Sequence, residues 1–159
     1  MDQQQFIEHV EGNQRAVRRF LTALCCGDAA LADDLAQDTF LKAYLSCDGF
    51  KDDSKFTTWI YRIAYNTFIS NRRALRINEP ITAADNICAT DTAADKAYEY
   101  QPLYNALEQL SDTERSAVLL HYMQAYAIDE IAAITQSSAE AVRQRLSRAR
   151  RHLKQLLNQ

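Results

Sequence analysis

The residues with the clearest chemistry lie in Ala127–Leu157, AIDEIAAITQSSAEAVRQRLSRARRHLKQLL. From Ala139 to Leu157 there are six Lys or Arg against one Glu. Guanidinium groups at that density can hold phosphates, and one suitably aimed can take the O6/N7 edge of guanine. Val142, Leu146, Ala149, Leu153 and Leu156 recur at spacings of four, three, four and three, which is one face of an α-helix. At about 100° per residue, Glu140, Gln144, Ser147, Arg148 and Arg151 fall opposite that face, with Arg143, Arg145 and Arg150 on its flanks. Ser137 with Glu140 predicts a capping box at the helix start. This cationic front is the face that would meet DNA in a major groove. Charged helix faces are more often merely solvated, so periodicity by itself leaves DNA reading open.

Lys55–Arg73, KFTTWIYRIAYNTFISNRR, mixes aromatic and cationic residues. Trp59, Ile60, Ile63, Ala64 and Thr67 can point inward. Tyr61, Arg62, Tyr65, Phe68, Ile69 and Arg72 share the other face. Aromatic rings beside arginines suit unpaired bases, which need a stacking surface and phosphate partners. The alternative is a helix buried on both faces. It fits Phe68 and Ile69, whereas Arg62 and Tyr65 are harder to place in a core.

A third helix is expected from Ala29 to Leu45, capped by Asp28. Leu35, Ala36, Thr39, Phe40, Ala43 and Tyr44 form its inner face. Asp34, Gln37, Asp38 and Leu41 lie opposite. Two like charges at i,i+4 beside an exposed leucine suggest a docking face for a basic partner, with plain solvation as the alternative.

The elements around these stretches are helical too. Gly numbers 3 and Pro 2 in 159 residues, so tight turns are scarce. Phe6–Val10 and Val17–Leu24 read as two short helices broken near Gly12-Asn13. Ser46–Ser54 reads as a loop. Ser111 with Glu114 predicts a second capping box and a helix through Gln124, packed through Val118, Leu119, Tyr122 and Met123. Residues 76–101 read as a flexible acidic linker, helical towards Ala93–Leu107. The expectation is therefore an all-α chain of two small helical domains, residues 1–75 and 102–159.

Several function classes are disfavoured. There is no Gly-rich phosphate loop and no nucleophile–base pairing, so catalysis is not expected. Cys25, Cys26, Cys47 and Cys88 form no Cys-x-x-Cys, and His9, His121 and His152 are distant in sequence. Free thiols, with neither metal nor cofactor, are expected. No apolar run reaches membrane-spanning length, and MDQQQFIEHVEGNQR lacks the pattern of a signal peptide, so a cytoplasmic location is expected. Net charge is −3, and six of the seven positive groups in residues 111–159 lie in the last helix, so the chain has a basic tip on an acidic body. Such a body would bind DNA poorly alone, because phosphate neutralisation dominates affinity, and a cationic partner would remedy that.

DDLAQDTFLKAY, KFTTWIYRIAYNTFISNRR, LEQLSDTERSAVLL and IDEIA…AVRQRLSRARRHL resemble, in that order, the extracytoplasmic-function sigma factors of RNA polymerase. The resemblance covers Phe6–Arg73 and Leu107–Leu157. It implies that residues 1–75 are sigma region 2, with Asp34, Gln37, Asp38 and Leu41 docking on the β′ clamp helices. Phe56, Trp59, Tyr61, Arg62, Tyr65, Asn66, Ser70 and Arg73 would melt and read the −10 element. Residues 102–159 would be region 4, near the β flap, with the last helix reading the −35 element through Ser138, Glu140, Ala141, Arg143, Gln144, Ser147, Arg148 and Arg151. An anti-sigma factor is the other partner implied, and it would provide any membrane contact. Departures from the family pattern are Ser70 in place of Asp or Asn, Ala141 in place of Thr, and Gln136 where Gly is usual. The last implies a side chain at φ > 0. A stand-alone helix-turn-helix regulator is the alternative reading.

Overall fold

The computed structural model describes residues 1–50, 55–78 and 94–158, with the side chains of 78 and 94–99 left aside. Loop residues 51–54, linker residues 79–93 and Cys88 lie outside the described residues. Seven α-helices make up the described fold: α1 Gln3–Leu24, α2 Ala29–Ser46, α3 Phe56–Asn78, α4 Ala94–Glu108, α5 Asp112–Val118, α6 Ile128–Thr135 and α7 Ala139–Leu157.

The N-terminal helix is continuous, and not the two pieces that Gly12 suggests. Asp2 and Gln5 form a reciprocal capping box at its start. A Cβ at Gly12 would meet nothing within 4 Å. An exposed helical glycine costs only about 1 kcal/mol, which the buried face of Phe6, Val17, Phe20, Leu21 and Leu24 outweighs. α1 ends where Cys26 and Gly27 take positive φ, 54° and 92°. A Cβ on Gly27 would lie 3.0 Å from the Tyr104 ring, so glycine serves both the turn and the close approach of α4. Asp28 then caps α2 by accepting from the Leu31 amide at 3.1 Å.

α3 packs between α1 and α2 on one side and α6 on the other. It runs to Asn78, past the expected boundary at residue 75. α4 spans Ala94–Glu108 with Pro102 inside it, in line with the helical tendency expected there. Ser111 caps α5 through the Glu114 amide at 3.2 Å. The cap is one-way, because the Glu114 carboxylate turns to His152, 3.2 Å from its Nδ1.

The expected helix through Gln124 changes character after Val118, with Leu119–Met123 forming a π turn. The wider turn shifts the register of the residues within it. Leu120 is therefore buried, while Tyr122 and Met123, expected to pack inward, are 59% and 42% exposed. Ala125 closes the turn at φ 59°. One apolar core runs from Phe6 on α1 to Ala149 on α7, so the two expected domains are packed together. No described helix is long and apolar enough to cross a membrane.

Candidate nucleic-acid interface

α6 and α7 form a helix-turn-helix. Gln136 adopts φ 52° and ψ 47° at the end of α6, so a side-chain residue does take the left-handed conformation. The N-cap of α7 is Ser138, one residue later than the expected Ser137; its hydroxyl accepts from the Ala141 amide at 3.1 Å. Ser137 is engaged elsewhere, 2.6 Å from the Thr135 hydroxyl and accepting from Arg145 Nη1 at 3.0 Å. With Ser137 tied to the turn, the next hydroxyl is the one free to cap.

The apolar back of α7 is buried as expected, with Val142, Leu146 and Ala149 essentially closed to solvent. Glu140, Arg143, Gln144, Ser147, Arg148 and Arg151 are placed in front, away from that core. Arg143 reaches Glu140 at 3.7 Å. Arg148 and Arg151 have no ion pair among the described residues, so their guanidiniums are available to a ligand. Arg150 is committed, donating to the Tyr122 hydroxyl with its guanidinium 5.5 Å from that ring's centre.

The aromatic face of α3 is placed differently from the open surface expected. Tyr61 is 1% and Tyr65 7% exposed. The Tyr61 hydroxyl donates to Gln124 Oε1 at 2.9 Å, and its ring meets Tyr126 edge-on. Arg62 Nε donates to the Ala133 carbonyl in the last turn of α6 at 3.1 Å. Lys55 pairs with Glu130 at 3.4 Å. Phe56 is buried among Phe6, His9, Phe50 and Trp59, and Trp59 itself is half-buried. The reason is that α6 and the residues after the π turn, Gln124 and Tyr126, cover this face, and large rings gain more from burial than from solvent. Asn66, Ser70 and Arg73 lie as one more open strip of α3.

On α2, Asp34, Gln37 and Asp38 are exposed and Leu41 is 57% exposed. Asp38 pairs with Lys42 at 3.2 Å, and Asp33 with Arg18. The face is apolar as well as acidic, since Leu45 is 74% exposed. A groove of about 950 Å³ lies between α1 and the C-terminal half, with Arg15 and Arg19 on one side and Leu103 and Met123 on the other.

The comparisons with known proteins agree with this layout. Sigma-70 region 2 matches residues 9–77, and Sigma-70, region 4 matches residues 100–153. The Bacillus subtilis ECF RNA polymerase sigma factor SigW is 30% identical, covering 82% of this chain and 78% of its own. The Pseudomonas aeruginosa RNA polymerase sigma-H factor is 32% identical, over 77% and 71%. The chain belongs to the extracytoplasmic-function sigma factors of the sigma-70 family.

Among solved structures, the Bartonella quintana sigma factor RpoE with the anti-sigma factor NepR superposes at a TM-score of 0.76, with 26% identity and 97% of each chain covered. CnrH with the cytosolic domain of CnrY gives 0.76 and 25% identity, over 99% and 90%. In this sigma factor the region 4 helix-turn-helix lies directly on the region 2 helix α3. Sequence reasoning missed two residues of α5 that join region 4 to region 2, Asp112 against α3 and Arg115 against α1 and α4. Arg115 is 4% exposed and donates to the carbonyls of Leu107 at 2.8 Å and Leu24 at 2.9 Å, with longer contacts to those of Leu110 and Glu108. Neither residue carries a sequence signal beyond belonging to the first turn of a capped helix.

Proposed function

We propose that this sigma factor brings RNA polymerase core to its promoters by reading the −35 element with the front of α7 and the −10 element with α3. As a sigma factor it serves promoter-specific initiation. The observation that carries the −35 assignment is the pairing of a buried apolar back with an outward front on which Gln144, Ser147, Arg148 and Arg151 stand clear of ion pairs among the described residues. Gln144 can pair with adenine and Arg148 with guanine, with Ser147 permissive. For the −10 element, Asn66, Ser70 and Arg73 lie open; Tyr61, Arg62 and Tyr65 would contribute only after α6 moves away. Core docking falls to the α2 face of Asp34, Gln37, Asp38 and Leu41.

An anti-sigma factor is the second partner. The similar solved structures are of sigma factors bound to anti-sigma factors. The groove beside α1 has arginines on its rim and an apolar wall, which suits an acidic amphipathic helix. Such a chain would work in the cytoplasm, where polymerase is.

Run-off transcription tests the main reading. Core polymerase with this protein should start at discrete sites that core alone does not use. A protein that binds DNA but leaves core polymerase unprogrammed would instead fit the stand-alone regulator.

A further inference from the structure

Asp112 opens α5, yet its carboxylate serves α3. Its side chain is 9% exposed. Oδ1 accepts from Arg72 Nε at 3.2 Å and Oδ2 from Arg76 Nη2 at 2.7 Å. The two arginines are one helical turn apart, so both guanidiniums meet a single group, one to each oxygen. A phosphodiester presents the same target: two non-bridging oxygens sharing one negative charge. The neighbouring strip of α3, Asn66, Ser70 and Arg73, is open. Arg76 is itself 70% exposed, so the cationic end of α3 is open to solvent on the side away from Asp112.

We propose that Arg72 and Arg76 form a clamp for a nucleic-acid backbone phosphate and that Asp112 fills it as an intramolecular stand-in. The inference rests on the sigma-factor reading only for the choice of ligand. Phosphate and Asp112 compete for the same donors, so gripping DNA at this end of α3 and holding region 4 against region 2 exclude each other. Separating the regions in the absence of DNA exchanges two charge-assisted hydrogen bonds for water and leaves two cations one helical turn apart with no anion between them. Backbone phosphate removes that obstacle by taking the place of the carboxylate. The polypeptide therefore stays closed until nucleic acid, or a partner that pulls the regions apart, frees the clamp.

The test uses the full chain and a fluorescent random-sequence DNA duplex, with anisotropy followed across a KCl series. Hydrogen exchange of the α3 amides reports closure. Asp112→Asn should speed exchange along Tyr61–Phe68, tighten binding and steepen the salt dependence by about two units, one per arginine released. Arg72→Ala with Arg76→Ala should open the same face without tightening binding. Adding both to Asp112→Asn should remove the gain, whereas adding Arg15→Ala with Arg19→Ala, the same change of net charge placed on α1, should not. Asp112→Ser, a residue at home near a helix start, stands in if the Asn variant fails to fold. If the Asp112 variant exposes α3 but binds the duplex no more tightly, the clamp is wrong. If exchange is unchanged, Asp112 does not hold the regions together. Neither result depends on run-off transcription, so failure here and failure of the sigma-factor reading are told apart.

Discussion

Arg148 and Arg150 are two positions apart and are placed differently. Arg148 is exposed and has no ion pair among the described residues, whereas Arg150 lies against Tyr122. A lost base contact costs about 1–3 kcal/mol and relaxes preference at one position, while a lost phosphate contact weakens all sequences alike. Arg148→Ala should therefore relax one base of the −35 element selected from a randomised library, and Arg151→Ala should lower affinity evenly. An unchanged motif in the Arg148 variant would remove its base-reading role. Arg115 differs from both, because its guanidinium satisfies backbone carbonyls at the junction of α1 and α4. Lysine cannot reproduce that planar fork. Arg115→Lys should cost about 2 kcal/mol or more, read as a lower denaturation midpoint, since buried carbonyls would lose their donors. The cysteines illustrate a quieter kind of burial. Burial first, then the Asp28 charge, pushes the Cys25 thiol up to about 12, and burial pushes Cys26 up to about 11, from an ordinary 9.0. The thiolate is the reactive form, so both should resist alkylation by iodoacetamide until the chain unfolds. The unfolded chain ionises above pH 9 where the folded chain does not. The stabilising contribution is thus complete below that pH and declines as pH rises towards 12. A denaturation midpoint that stays level between about pH 8 and about pH 11 would contradict this.

At the scale of elements, turns and caps decide where helices begin and what they present. Gln136 holds a left-handed conformation at φ 52°, which costs a side-chain residue about 1–2 kcal/mol relative to glycine. Gln136→Gly should raise the melting temperature without moving α7, and an unchanged or lower value would show that the Gln side chain repays the strain. Ser138 caps α7, so Ser138→Ala should cost about 1 kcal/mol and fray the turn that carries Ala141 and Gln144. The α2 face behaves as one element, with exposed Leu41 and Leu45 beside Asp34. Asp38 already has Lys42 as a partner, so Asp34→Lys together with Leu41→Ala is the sharper change. The double variant should lose capture by polymerase core while keeping its helical circular dichroism; normal capture would mean the docking face lies elsewhere.

At the scale of the whole molecule, the two expected regions share one core, and α6 seals the aromatic face of α3. The Tyr61 hydroxyl bond to Gln124 is part of that seal. Tyr61→Phe should loosen it by about 1 kcal/mol, seen as faster exchange of α3 amides at an unchanged fold. The sequence alone was enough for the all-helical class, the helix-turn-helix with its outward arginines, the Asp28 cap, the left-handed Gln136 and the family. The class, the helix-turn-helix and the cap come from local pattern, apolar residues at helical spacing and capping side chains; the left-handed Gln136 comes from the resemblance, in which Gly is usual at that position. What it could not supply were long-range choices. One-dimensional periodicity marks Tyr61 and Tyr65 as lying on a second face of α3 but cannot say whether solvent or α6 meets that face. It cannot show that a π turn rotates Tyr122 and Met123 outward, because i→i+5 bonding has no residue signature. Nor can it bring Asp112 to Arg72 and Arg76 across 40 and 36 positions of chain. Only the packing of region 4 on region 2 decides that pairing, because a carboxylate at a helix start is satisfied by solvent until another element covers it.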